Sequence, residues 1–239
     1  MPHCHFPAVV HVAVPTQSIT LRYKYMPGQV RRYKLHTSMD TTLTPARPGS
    51  PPTSNVTQDM VFRQTVQKVR ASDGAATSLG QIEEYHVFLN GKETALPYPA
   101  SAQMKKPYIV VSLPSGKVIS LDISGILREI TGAFPSHALQ IGESWKGAAT
   151  TAPGAESGTV INTLTGFDTT GGVRRAIIQQ KMTGEVTGAG TLVFDLTTGT
   201  ISRLASVTTI DMRLGTTTLK QRFQVTLSAV EEAKKTSIP

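Results

Sequence analysis

Apolar and polar residues alternate most regularly in the last third of the chain, residues 191–230. Leu192, Phe194 and Leu196 share one parity, and further on Leu204, Ile210, Met212 and Leu214 do the same, with Arg203, Asp211 and Arg213 on the other. In residues 219–229, Leu219, Phe223, Val225 and Leu227 are interleaved with Lys220, Arg222, Gln224, Thr226 and Ser228. A period of two predicts half-buried β-strands. Glycine-containing stretches at 197–199 and 215–217 supply the turns between them. The result is an antiparallel meander with one wet face and one dry face.

The same signal recurs upstream. Strands are predicted at 56–70, with Val56, Met60, Phe62 and Val66 on one face, and at 79–89, 108–113, 117–123, 158–168 and 173–182. Turn residues separate them at Ser72-Asp73-Gly74, Asn90-Gly91, Pro114-Ser115-Gly116 and 169–172. The Pro-rich stretch 45–54 and residues 96–107 read as irregular loops, and the one helix signal is 124–131, with Ser124 as its N-cap. Pro27-Gly28 suits a type II turn between two further strands within residues 21–43. Three registers are open there. An odd loop pairs Leu21 with Leu35 and Tyr23 with Tyr33, which sets Arg22 and Lys24 opposite Lys34 and Arg32. A two-residue loop mixes the faces. In the third, the strands do not pair and the turn is a bend between sheets.

These elements predict a mainly β fold of curved antiparallel sheets, half-barrel or sandwich-like, with two related halves and one short helix. The halves are residues 1–132, which carry the Pro-rich loop, and 133–239, which end in the meander. Residues 110–121 match 193–204 in turn position and parity, and the strand–turn–strand about Asp73 resembles that about Thr170. The two spacings are unequal, so a duplication needs a shorter loop in the second half.

Composition narrows the function classes. A chain of 239 residues makes one large β domain or two small ones. The net charge of +8 and pI near 9.7 invite an anionic partner, but no run of Lys and Arg exceeds two, the pattern of a solvated surface. No stretch approaches the roughly 18 apolar residues of a membrane helix, so no transmembrane segment is expected. Cys4 is the single cysteine and cannot form a disulfide within the chain. Residues 6–14 are apolar but broken by Pro7 and His11, with no charged region before them. They read either as the remnant of a signal peptide or as an ordinary first strand or frayed tail.

Catalytic motifs fail one by one. His3, Cys4, His5 and His11 have metal-ligand chemistry, but their spacing fits no zinc motif, and no metal site is expected. The stretch Gly142-Glu143-Ser144-Trp145-Lys146 lacks the closing glycine of a nucleophile elbow. Ser115-Gly116-Lys117 is followed by Val118 where a phosphate loop needs Ser or Thr. The carboxylates form no paired set in sequence. No catalytic residue, enzyme activity or cofactor is therefore assigned. Arg22, Lys24, Arg32 and Lys34 are the best candidate for a surface that meets an anionic partner, with Tyr23 and Tyr33 on the dry face, because like charges set opposite each other repel unless an anion approaches. No aromatic RNA-binding motif accompanies them, so nucleic acid is not expected. Trp145, the single tryptophan, follows a glycine turn and is expected to plug one end of a sheet, with ligand stacking as its other role.

The stretches LRYKYMPGQVRRYKL at 21–35 and FPSHALQIGESW at 134–145 resemble a group of uncharacterised bacterial exported β-rich proteins. Those carry a Leu-Arg-Tyr…Pro-Gly opening and a Pro…Gly-Glu/Asp-Ser-Trp segment. More remotely, the layout is similar to the lipoprotein-carrier fold of the bacterial envelope, a curved antiparallel sheet that holds acyl chains. This chain departs from it in having no lipobox around Cys4 and less helix. The resemblance implies an exported, non-catalytic protein of the periplasm or cell envelope that binds a lipid or other amphipathic ligand, or a partner protein. A structural or assembly module and a hydrolase with a site not visible in sequence are the alternatives. An apolar cavity of roughly 300 Å³ or more would favour ligand binding.

Overall fold

A computed structural model describes residues 18–44, 53–95, 104, 106–121, 133–148 and 159–230. The strands, in chain order, are β1 (Val30–Thr44), β2 (Thr53–Val69), β3 (Ala76–Leu89), β4 (Lys92–Glu93), β5 (Tyr108–Ser112), β6 (Val118–Leu121), β7 (Ser144–Ala148), β8 (Thr159–Asp168), β9 (Arg175–Thr183), β10 (Val186–Asp195), β11 (Thr200–Leu214) and β12 (Thr217–Ala229). Strands hold 69% of the described residues and helix 2%, which agrees with the mainly β reading. The helix expected at 124–131 and the histidines near the start lie outside the described residues.

All twelve strands belong to one antiparallel sheet in the order β6-β5-β3-β2-β1-β12-β11-β10-β9-β8-β7, with β4 paired to β3 as the second arm of the Asn90-Gly91 hairpin. The first and last strands are neighbours, so the order is that of an up-and-down ring cut between β6 and β7. The ring does not close there, and the sheet is open.

The sheet is nonetheless strongly curled. Six strand spacings separate β5 from β10, about 29 Å on a flat sheet at ~4.8 Å per step. Yet the amide of Tyr23 donates to the Pro114 carbonyl at the β5–β6 turn (2.7 Å), and the next amide, of Lys24, donates to the Gly199 carbonyl at the β10–β11 turn (3.3 Å). Two successive residues reach both turns only if the sheet rolls round to bring them together.

Parity explains what fills the roll. One row of directly opposed residues, Tyr85, Met60, Leu35, Leu227, Leu204, Leu192, Ile178 and Leu164, crosses from β3 to β8 on the inner face. The seven apolar residues from Met60 to Leu164 are buried, and Tyr85 packs against them partly buried. A second layer of Tyr33, Phe62, Phe194, Ala176 and Ile201 lies beside it. The open side is plugged from two directions by Leu21 and Tyr23 on one segment and by Phe134 and Leu139 on another. Ile19 and Leu139 exchange both backbone hydrogen bonds (2.8 and 2.6 Å), which locks the two plugs together.

The segment 18–25 corrects one expectation. Pro27-Gly28 does form the turn, with Gly28 at φ +79° and the Gln29 amide donating to Met26 (2.9 Å). But residues 21–25 do not pair with β1, whose neighbours are β2 and β12. They leave the sheet and cross the mouth of the roll as a strap. Of the three alternatives, the one in which the two segments do not pair is observed, although the turn joins a strap to the single sheet rather than bending between two sheets.

Candidate functional site

The cations expected to share one wet face are dispersed by this path. Arg22 is exposed, with Nη2 3.4 Å from the Ser136 carbonyl. Lys24 is exposed, and its Nζ donates to the carbonyls of Leu196 (2.8 Å) and Thr197 (3.0 Å), tying the strap to the end of β10. Arg32 pairs with Glu83 (2.5 Å) and reaches Glu84 (3.9 Å), while Arg63 reaches the other oxygen of Glu83 (3.5 Å). Lys34 is exposed on the outer face of β1. Arg22 and Lys24 therefore do not oppose Arg32 and Lys34, and the like-charge crowding inferred from a hairpin is not present. Tyr23 and Tyr33 are buried, as their parity requires.

Trp145 lies at the end of the sheet on β7. Its Nε1 donates to the Ala133 carbonyl (3.2 Å) and its ring meets Phe134 edge-on at 6.4 Å between centroids. It packs partly buried against the core.

The residue that sequence reasoning missed is Arg31. It shares parity with Tyr33 and Leu35, which places it on the inner face, and it is only 9% exposed. Its cross-strand row runs Arg31, Gln64, Gly80, Tyr108. Nη2 donates to the Lys24 carbonyl and to Gln29 Oε1 (3.0 Å), and the guanidinium stacks 4.7 Å over the Tyr25 ring. Nε has no hydrogen-bond partner and is buried. No carboxylate among the described residues forms an ion pair with it. A buried charge without a counter-charge is costly, so this departure from a purely apolar interior calls for an explanation.

Arg31 lines a partly open cavity of about 70 Å³ beneath the strap. Tyr23, Tyr25, Gln64, Ser78 and Ser112 face it, Phe62, Ile201 and Leu227 close its inner wall, and it reaches the edge strand β6 at Gly116 and Val118. The Tyr25 hydroxyl is hydrogen-bonded to Ser112 Oγ (2.9 Å). The Tyr23 hydroxyl is buried and has no partner. Burial holds the Tyr23 phenol well above its ordinary range, with Tyr25 and Tyr33 adding to the rise and Arg31 opposing it. Tyr25 is also raised by burial, against the pull of its Ser112 hydrogen bond and Arg31. Both phenols therefore keep their protons and can donate. Tyr108, behind Gln64, is likewise raised by burial; its hydroxyl makes no hydrogen bond of ordinary geometry, although the Gln64 side chain offsets part of the rise.

Away from the strap the inner face changes character. The next row, Val87, Gln58, Thr37, Val225, Ser206, Gly190, Gln180, Asn162 and Trp145, is mixed. Beyond it Leu89, Val56, Met39 and Phe223 oppose one another across β3, β2, β1 and β12. Val56, Met39 and Phe223 are half-buried and Leu89 is 46% exposed, so an apolar trough continues past the packed core. A depression of about 340 Å³ lies elsewhere, lined mainly by outward-facing residues such as His36, Gln179, Thr191, Ala205 and Thr226. Its lining is more apolar than polar, but it is a shallow, open depression on the outer face rather than a cavity inside the curl of the sheet.

Among the described residues no group of three His, Cys, Asp or Glu is placed to hold a metal, and no helix is long and apolar enough to cross a membrane. No family model and no curated protein sequence matches the chain. Among solved structures it is similar to a chain from a study of lipid–protein interactions in lipovitellin, with 10% identity over 90% of this chain and 27% of that one, at a TM-score of 0.48. At that level of similarity nothing about ligand or role passes from one protein to the other.

Proposed function

We propose that this β-rich protein is a non-catalytic binder of an amphipathic ligand, whose apolar part lies in the trough over the β1–β12 pairing. The observation that carries the reading is the run Leu89, Val56, Met39 and Phe223, apolar side chains turned to the inside of a curled sheet yet left partly exposed. Leu43, Leu219 and Met212, opposed across β1, β12 and β11, extend it towards the far end. Apolar surface of this kind is stabilised at about 25 cal/mol per Å² when a ligand covers it. The cavity at Arg31, of about 70 Å³, is far below the ~300 Å³ of a ligand pocket, so the trough, not the cavity, takes the apolar part. An exported, cell-envelope setting belongs to this reading through the resemblance described above.

The test uses Trp145, which ends the row bordering the trough. Titration with a neutral monoacylglycerol below its aggregation concentration should give a saturable change in tryptophan emission, weakened by Phe223→Ser. Native mass spectrometry of protein from its own host should show a co-purifying amphiphile. A flat titration together with a bare mass would sink the reading.

One observation favours assembly instead. The inner face at the strap end is filled, and β6 and β7 are sheet edges, which are templates for pairing with another chain. A concentration-dependent mass in light scattering, abolished by a proline at Ile119, would support that reading over the first.

A further inference from the structure

Every polar side chain that lines the cavity beneath the strap can donate a hydrogen bond, and none is a carboxylate: Arg31, Tyr23, Tyr25, Tyr33, Gln64, Ser78 and Ser112. Two of them, Arg31 Nε and the Tyr23 hydroxyl, are buried donors with nothing to donate to. Leaving such donors unpaired costs their full desolvation. An apolar core would avoid the cost with a methionine at 31 and a phenylalanine at 23. We propose that this cavity is a binding site for one monoanionic group of the carboxylate class, held by Arg31 Nε–H and the Tyr23 hydroxyl.

Charge and size select that class. Arg31 is the one cation that lines the cavity among the described residues, so one negative charge is balanced and a second would be buried uncompensated. The volume of about 70 Å³ corresponds to roughly two waters at ~30 Å³ each, the scale of a carboxylate with a methyl group. Tyr25 stacks on the guanidinium and holds its plane, and the Lys24 carbonyl and Gln29 fix Nη2. Phe62, Ile201 and Leu227 form an apolar wall behind the site, and Gly116 and Val118 set it against the open edge β6, where a small solute can enter. The carboxylate has two possible sources, a free small acid or the head of an amphiphile whose tail leaves past the β6 edge; the packed core separates the cavity from the trough, so neither source rests on the function proposed above.

The experiment follows thermal unfolding of the full chain with acetate, decanoate or decanol, sulfate holding the ionic strength constant. A ligand bound only by the folded state raises Tm in a saturable way. Acetate should do so for the wild type. Arg31→Met should weaken it at least about 10-fold, the loss of a hydrogen bond to a charged group. Tyr23→Phe guards against a folding defect, because it removes only an unpartnered hydroxyl: its Tm without acetate should equal or exceed that of the wild type, while its acetate response falls several-fold. Decanoate binding tighter than acetate, and through Arg31, identifies the amphiphile as the source; equal affinities identify the free acid. No saturable acetate or decanoate response, or responses unchanged in both variants, would overturn the proposal. Decanol binding as well as decanoate and indifferent to Arg31→Met leaves the trough reading standing and removes this one. Acetate binding through Arg31 with no gain from a ten-carbon tail and no decanol binding does the reverse.

Discussion

The amide of Lys24 donates to the carbonyl of Gly199, and the Lys24 backbone occupies the space that a Cβ on Gly199 would fill. Gly199 also sits at φ +63°, where L side chains are strained. Gly199→Ala should therefore lose stability twice, through φ and by pushing the strap off the β10–β11 turn. A loss of about 2–5 kcal/mol in urea unfolding is expected, combining a left-handed backbone penalty of ~1–2 kcal/mol with an overpacking cost of ~1–3 kcal/mol. Gly215→Ala, at φ +64° with open space around it, should show only the first. Equal losses in the two variants would mean that the strap is not held at this turn.

Gly80 lies under the ring of Tyr108, its partner across β3 and β5. A methyl group there would run into the ring, so Gly80→Ala should cost about 1–3 kcal/mol. The double variant Gly80→Ala, Tyr108→Ala should cost less than the sum of the two single ones, since the added methyl then fills part of the space the ring leaves. A double-mutant cycle with no coupling would show that the ring moves aside freely.

Glu83 holds Arg32 and Arg63 together on the outer face. Glu83→Gln should cost only about 0–1 kcal/mol, because all three groups are partly exposed and water screens them. Its electrostatic effect is larger: two neighbouring cations lose their shared counter-charge. Retention on a cation-exchange resin at low salt should rise more than a single charge change produces elsewhere, for which Glu185→Gln is the control.

Asp73 gives a pH signature. The Arg70 side chain and the Ala75 amide hold its carboxyl at about 2, down from 3.8. A depressed folded value means that the ion pair favours the folded state in full above the ordinary carboxylate range and loses its effect as pH falls towards 2. Carboxyl NMR titration should place the Asp73 midpoint near 2, and Arg70→Gln should move it up towards 3.8. A midpoint near 3.8 in the wild type would break the pairing.

Most of the strands were legible because alternation reports one thing reliably, an extended chain with one face buried. In residues 204–227 it also gave the partners, since short glycine turns force adjacent pairing. In residues 21–25 it did not. Leu21, Tyr23 and Tyr25 alternate like strand residues and bury their side chains like strand residues, but the backbone of their segment bonds elsewhere: Ile19 to Leu139, Tyr23 to the turn at Pro114 and Lys24 to the turn at Gly199. Parity carries no information on what an extended segment lies against. The candidate pocket was legible in part. Arg31 shares parity with Tyr33 and Leu35, the same argument that turned the two tyrosines inward, yet a basic residue beside Arg32 reads as surface by composition. The closing of the pocket by Gly116, Ile201 and Leu227 depends on the curl of the sheet, which no local pattern encodes.

The neighbourhood of β1 and β12 has a kinetic consequence. Most other ladders join strands close in the chain, and hairpins of that kind zip in microseconds. The β1–β12 ladder must bring together residues as distant as Tyr33 and Ala229. Until it does, the protein is two separate half-sheets, each with a long unsatisfied edge and its apolar row open to water. Closing so long a loop is the slow, topology-limited event of such a fold. A rearranged gene in which residues 144–230 precede residues 18–121 would turn that distant pairing into one more nearby hairpin without changing the final arrangement of strands. The natural order instead leaves the edge of β1 without its β12 partner until the rest of the chain has been synthesised, the stage at which such a protein is most open to capture by its own copies.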